Sequence, residues 1–196
     1  SAASEVYKRQ VEENFPQGLK GLKFVFMGDA ENNVANSLMV VCAKLGLHFV
    51  ACGPEARMPK ADLVAQCREV AAETGATITL TEDVKEACTG ANVIYTDIWV
   101  SMGEPAELWA ERIKLLEPYR VTKEVMAMAS PDAIFMHCLP SFHDTKTTIG
   151  AEIAEQFGVT EMEVEDAVFE STQSKVFDEA ENRMHTIKAV MYATLS

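Results

Sequence analysis

Five short apolar runs recur along the chain, and helical spacing fills the stretches between them. The runs are residues 22–27, 47–52, 77–80, 92–96 and 133–136. Apart from Thr77-Ile78-Thr79-Leu80, none alternates strictly between apolar and polar residues, as a half-buried strand would. Near-continuous apolar strands are buried on both faces, which is the habit of parallel sheets. The stretch 34–46 carries Leu38, Val41, Cys42 and Leu45 on one helical face. The helix over 60–74 closes on Gly75, a C′ residue. A shorter helix opens at Thr81-Glu82-Asp83 and ends at Gly90. Strand and helix in alternation predict an α/β fold: a doubly wound, Rossmann-like parallel sheet with helices on both faces and right-handed crossovers.

The rhythm changes after Asp97. The segment Ile98-Trp99-Val100-Ser101-Met102-Gly103 reads as a mobile loop. Helices over 106–117 and 122–129 lead to the fifth run, which ends in His137-Cys138-Leu139-Pro140. A polar excursion over 141–160 follows, with a short helix at 150–157 and a helical turn at 166–169. The last helix spans about 179–195, and a polar helix over 5–17 precedes the first strand.

Composition excludes several classes of partner. A net charge of −13 repels nucleic-acid backbones and anionic lipid, so neither nucleic acid nor a membrane surface is an expected partner. No apolar run reaches membrane-spanning length. Five cysteines with no Cys-x-x-Cys pair form neither a disulfide framework nor a zinc ribbon, and they fit a reducing, cytoplasmic setting. The opening Ser1-Ala2-Ala3-Ser4 lacks an initiator Met and reads as an artificial end or the interior of a longer protein.

Three strand ends carry polar signatures: Gly28-Asp29-Ala30-Glu31-Asn32-Asn33, Thr96-Asp97 and His137-Cys138-Leu139-Pro140. In a doubly wound sheet these ends share one edge, the edge where ligands bind. Asn33 opens a helix, as an N-cap or as a contact for a carboxylate. Asp97 suits an ammonium group or a turn, and Ser101 follows one helical turn's distance later. Cys138 and His137 are neighbours, and strand alternation sends their side chains to opposite faces, so they do not form a dyad. His137 then reads as a satisfied core histidine. Arg183 is either a solvated arginine or a fork of donors for a carbonyl or phosphate oxygen. His137, Cys138, His143 and Asp144 are zinc-ligand types, but their spacing fits no standard zinc site, and no metal is expected. Gly28-Asp29-Ala30 is not Gly-x-Gly-x-x-Gly, so no cofactor is expected either.

Four motifs in order resemble the ornithine carbamoyltransferases, in their ornithine-binding half: Gly28-Asp29-Ala30-Glu31-Asn32-Asn33, Asp97 with Ser101-Met102-Gly103, His137-Cys138-Leu139-Pro140, and Glu181-Asn182-Arg183-Met184-His185-Thr186. The segment Pro140-Ser141-Phe142-His143-Asp144 is similar to the bacterial form. The resemblance implies that L-ornithine and carbamoyl phosphate are the substrates and that the products are L-citrulline and phosphate. It implies that Asn33, Asp97, Ser101 and Met102 hold ornithine. It implies that Cys138, Leu139 and Arg183 border carbamoyl phosphate, and that Cys138, Arg183 and Asp97 make up the catalytic set. No covalent enzyme intermediate is implied, and the parent enzymes are homotrimers or larger.

Departures from the family pattern define further expectations. The Ser-x-Arg-Thr-Arg and His-Pro-x-Gln motifs of the carbamoyl-phosphate half do not occur in these 196 residues. Glu31 stands where the family often has a basic residue. The expected division is a linker or non-family segment over 1–20, an ornithine-binding domain over 21–177, and a terminal helix over 178–196 that in the family packs on the other half. The chain alone is expected to turn over poorly. The alternatives are a non-catalytic amino-acid-binding α/β module and a carbamoyltransferase for another amine.

Overall fold

A computed structural model describes residues 2–100 and 104–195. Ser101, Met102 and Gly103, which the sequence places at the site, lie outside the described residues.

The helix α1 (Ala2–Asn14) comes first, followed by the strand β1 (Lys23–Met27), the helix α2 (Asn33–Leu45) and the strand β2 (His48–Cys52). Then come α3 (Ala61–Thr74), β3 (Ile78–Thr81), α4 (Val84–Cys88) and β4 (Val93–Thr96). Further along follow α5 (Ala106–Leu116), α6 (Lys123–Met128) and β5 (Ile134–His137). The chain closes with α7 (Thr148–Phe157), α8 (Asp166–Phe169) and α9 (Val176–Leu195). All strand pairings are parallel, in the order β3-β2-β1-β4-β5.

Alternation along β1 explains why the strands read as unbroken apolar runs. Phe24 and Phe26 face one core with α1, α2 and α3, whereas Val25 and Met27 face another with α4, α6 and α8. A third cluster, around Trp99, Leu116, Phe142 and Met162, packs beyond the strand ends. It anchors the chain on the amino side of residues 101–103, where Trp99 and Val100 are buried.

Two helices sit differently from the sequence expectation. The first is shifted toward the N-terminus and packs on α9. Its Val6, Tyr7 and Val11 are buried, and Asn182 of α9 donates to its Gln10 Oε1 (2.8 Å) and Glu13 Oε2 (2.9 Å). The last helix begins at Val176 instead of near 179. The reason is a backbone connection, because Phe135 N–H donates to Gln173 C=O and Lys175 N–H to Phe135 C=O, each at 2.9 Å. That pairing feeds the chain from the edge of β5 directly into α9. Beyond its first turns α9 exposes Met184, Ile187, Val190, Met191, Tyr192 and Leu195.

The ends of β1 and β2 approach very closely. Gly28 has φ +110°, a backbone that L side chains rarely adopt, and a Cβ built on Gly53 would lie 2.2 Å from the Gly28 carbonyl oxygen. Gly53→Ala should therefore push the two strand ends apart and destabilise the fold by roughly 1–3 kcal/mol. Urea denaturation checks this; an unchanged midpoint would show that the edge tolerates the separation.

Candidate functional site

The site forms where β1, β4 and β5, three consecutive strands of the sheet, end side by side. Asp97 follows β4 directly. Its Oδ1 accepts the Ile98 N–H (2.8 Å) and the Cys138 thiol (3.1 Å), and its Oδ2 accepts the Asn32 side-chain amide (3.1 Å). One carboxylate thus links the turn after β1, the end of β4 and the end of β5.

Asn32, not Asn33, caps α2. Its side-chain oxygen accepts the Ala35 N–H at 2.8 Å, three residues on, as an N-cap does. Asn33 is the first helical residue and is exposed at the helix N-terminus. The capping reading of Asn33 is therefore corrected by one position. Its carboxylate-contact reading has the open surface and the helix end that it needs.

His137 is buried and fully engaged. Its Nδ1 accepts the Leu139 N–H at 3.0 Å, which leaves the proton on Nε2 to donate to Glu163 Oε1 at 3.2 Å. Burial alone would push the Glu163 carboxyl up. Bonds from His137, from the Phe142 N–H (2.7 Å) and from the Ser141 hydroxyl (2.7 Å) overcome it and hold the group below the ordinary carboxylate range.

A ring nitrogen of His137, the Cys138 sulfur and an Asp97 oxygen lie within 4.8 Å of one another. That is closer than strict alternation implies. The regular strand stops at His137, and Leu139 turns the chain with φ +40°. The thiol nonetheless bonds Asp97 and not the ring. A metal here would have to break one of the two bonds that the His137 ring makes. The Leu139 N–H is already taken by His137.

Cys138 is the one partly exposed cysteine; Cys42, Cys52, Cys67 and Cys88 are buried, and all five are free. Burial, then the neighbouring Asp97 carboxylate, pushes the Cys138 thiol far up. A thiol held protonated is a poor nucleophile and a weak hydrogen-bonding wall.

A cavity of about 190 Å³ opens beside it, lined by Tyr7, Cys138, Glu179, Arg183 and Ile187 among others. Arg183 therefore faces the same space as Cys138. Asn33 and Asp97 are not in its wall. They stand at the adjoining strand ends, with Asp97 joined to the cavity through the Cys138 bond.

Several pairings at this edge carried no sequence signal. Asp29 is buried between two guanidinium groups: Arg57 Nε (3.0 Å) and Nη2 (2.6 Å), and Arg112 Nη1 (2.7 Å). Glu31 pairs with the remaining nitrogen of Arg57 at 2.6 Å. This network ties α5, on the far side of 101–103, to the end of β1. Glu31 is thus an internal partner, which explains an acidic residue in that turn. Glu179 and Tyr95, bonded at 2.8 Å, also emerge only in three dimensions, since 84 residues separate them.

The two asparagines should separate in stability. Asn32→Ala removes a cap and costs about 1 kcal/mol, whereas Asn33→Ala, an exposed first-turn change, costs far less. Chemical denaturation of both variants checks this, and equal losses would contradict the capping assignment.

The aspartate/ornithine carbamoyltransferase Asp/Orn binding domain model matches residues 20–194. The chain is 64% identical over 185 residues to a catabolic ornithine carbamoyltransferase of Treponema denticola, covering 94% of this chain and 54% of that protein. It is 53% identical over 194 residues to an ornithine carbamoyltransferase of Pediococcus pentosaceus, covering 98% and 56%. Among solved structures, the ornithine carbamoyltransferase of Pyrococcus furiosus matches with a TM-score of 0.82 at 38% identity, over 97% of this chain and 54% of that one. The chain spans about half the length of the relatives it matches.

Proposed function

The chain belongs to the aspartate/ornithine carbamoyltransferase family, to its Asp/Orn binding domain, and from that premise we propose that it supplies the amino-acid half of a carbamoyl-transfer site. The observation that carries this reading is the convergence of three consecutive strand ends, where Asp97 bonds Cys138 and Asn32, the cap that starts the helix at Asn33. L-ornithine is the proposed amine. Asn33, at a helix N-terminus, takes the α-carboxylate. Asp97, with Ser101 and Met102, takes the α-ammonium end. The δ-amine then lies by Cys138 and attacks the carbonyl carbon of carbamoyl phosphate, and phosphate leaves. Arg183 polarises the carbamoyl oxygen from across the cavity. The Leu139 backbone borders the same substrate. No metal and no cofactor has a role in this scheme.

The division into residues 1–20, 21–177 and 178–196 is retained, with α1 read as a helix that packs on α9. The exposed apolar side of α9 is proposed to meet the carbamoyl-phosphate half, in an assembly of homotrimers or larger. Five free cysteines support a reducing, cytoplasmic setting. Among the described residues no helix is long and apolar enough to cross a membrane.

Calorimetry with L-ornithine and L-norvaline tests the half-site. Binding is expected, weakened about tenfold or more in Asp97→Ala and Asn33→Ala, as loss of a charge-assisted bond requires. Putrescine, which has no carboxylate, should bind less well than ornithine. Citrulline formation by the chain alone should be slight, because the phosphate-binding motifs are not in it. Robust turnover, or ligand binding indifferent to both substitutions, would overturn the reading.

A further inference from the structure

One buried acid has no role in the scheme above. Glu179, in the first turn of α9, is 2% exposed and makes no ion pair among the described residues. Its Oε1 bonds the Tyr95 hydroxyl of β4 at 2.8 Å, and its Oε2 accepts the His137 N–H of β5 at 3.2 Å. One side chain therefore fastens the start of α9 to the ends of two neighbouring strands. Cys138 is the next residue after the N–H that Glu179 holds. Arg183 is one helical turn beyond Glu179, on the same face, and both line the cavity that Cys138 lines.

We propose that Glu179 is a positioning residue: its bridge from α9 to β4 and β5 sets the Arg183 guanidinium and the Cys138 thiol against the same cavity. The proposal rests on the carbamoyl-transfer reading for what those two groups are held to do.

The surroundings of Glu179 are acidic. It is faced by Tyr7 from α1, by Tyr95 and Asp97 from β4 and its end, and by Cys138 after β5; the cation on its own helix face is Arg183. Burial pushes its carboxyl up to about 8, with the Asp97 charge adding to the rise while bonds from Tyr95 and the His137 N–H oppose it. At neutral pH the bridge is thus mostly an uncharged carboxylic acid, close in shape to a glutamine amide. The folded protein binds this proton more tightly than the unfolded chain. Stability from this group is therefore greatest below the ordinary Glu range and falls as pH rises toward 8. Above pH 8 the ionised carboxylate opposes formation of a Cys138 thiolate.

The test is the rate at which iodoacetamide alkylates Cys138 in the full chain, read from the mass of the Cys138 peptide between pH 6 and pH 9. It needs no turnover, so its failure leaves the carbamoyl-transfer reading intact, and failure of ornithine binding leaves the bridge intact. Glu179→Gln should fold, match the parent at pH 6, and react about threefold faster at pH 9, where a nearby charge has been removed. Glu179→Ala, if folded, should react faster at every pH because the strand end has lost its tie. The proposal is overturned if Glu179→Gln fails to fold or follows the parent through pH 9, or if a folded Glu179→Ala matches the parent at pH 6. Where Glu179→Ala does not fold, the glutamine comparison decides alone.

Discussion

The site depends on what Asp97 holds. A carboxylate at the end of β4 accepts an amide from the turn after β1 and a thiol from the end of β5. The parallel sheet brings these ends together, because β1, β4 and β5 are consecutive in it. Without the Asp97 bonds, three loops would share an edge with no common reference point. With them, Asn32 is fixed, so α2 is capped in a set direction and Asn33 is presented outward. Cys138 is fixed as well, and with it the wall of the neighbouring cavity.

Around this centre two buried carboxyl groups take opposite states for one reason, the balance between desolvation and partners. Glu163 gains the His137 ring, a backbone N–H and a hydroxyl, and remains an anion. Glu179 gains a phenol and one backbone N–H beside acidic neighbours, and stays largely protonated near neutrality. His137 touches both, through its ring and through its backbone N–H. The histidine that the sequence reads as a satisfied core residue is the joint between the two acids. A second network, Asp29 with Arg57 and Arg112, does similar work on the other flank, holding α5 to the sheet edge.

The sheet was legible because strands such as Phe24-Val25-Phe26-Met27 are apolar on both faces, and only a doubly covered strand has that need. The site's location was legible because its polar residues fall at strand ends. The one-residue displacement of the cap from Asn33 to Asn32 was not, since two adjacent asparagines offer the same capping chemistry and only backbone geometry chooses. Glu179 and Arg112 were hidden for another reason. On their helices they look like ordinary surface charges, and only packing shows that each is turned inward. The start of α9 was misplaced because the Gln173 C=O and the Lys175 N–H pair with Phe135 of β5 through backbone bonds, which leave no side-chain pattern to read.

The central claim is that these strand ends form one amino-acid site. The most direct test is a nuclear magnetic resonance titration of the isotope-labelled chain with L-norvaline, following backbone amides. The account predicts saturable shifts confined to the ends of β1, β4 and β5, with Asn33, Asp97 and Cys138 among the largest. Shifts spread evenly over the surface, or none at millimolar ligand, would contradict it.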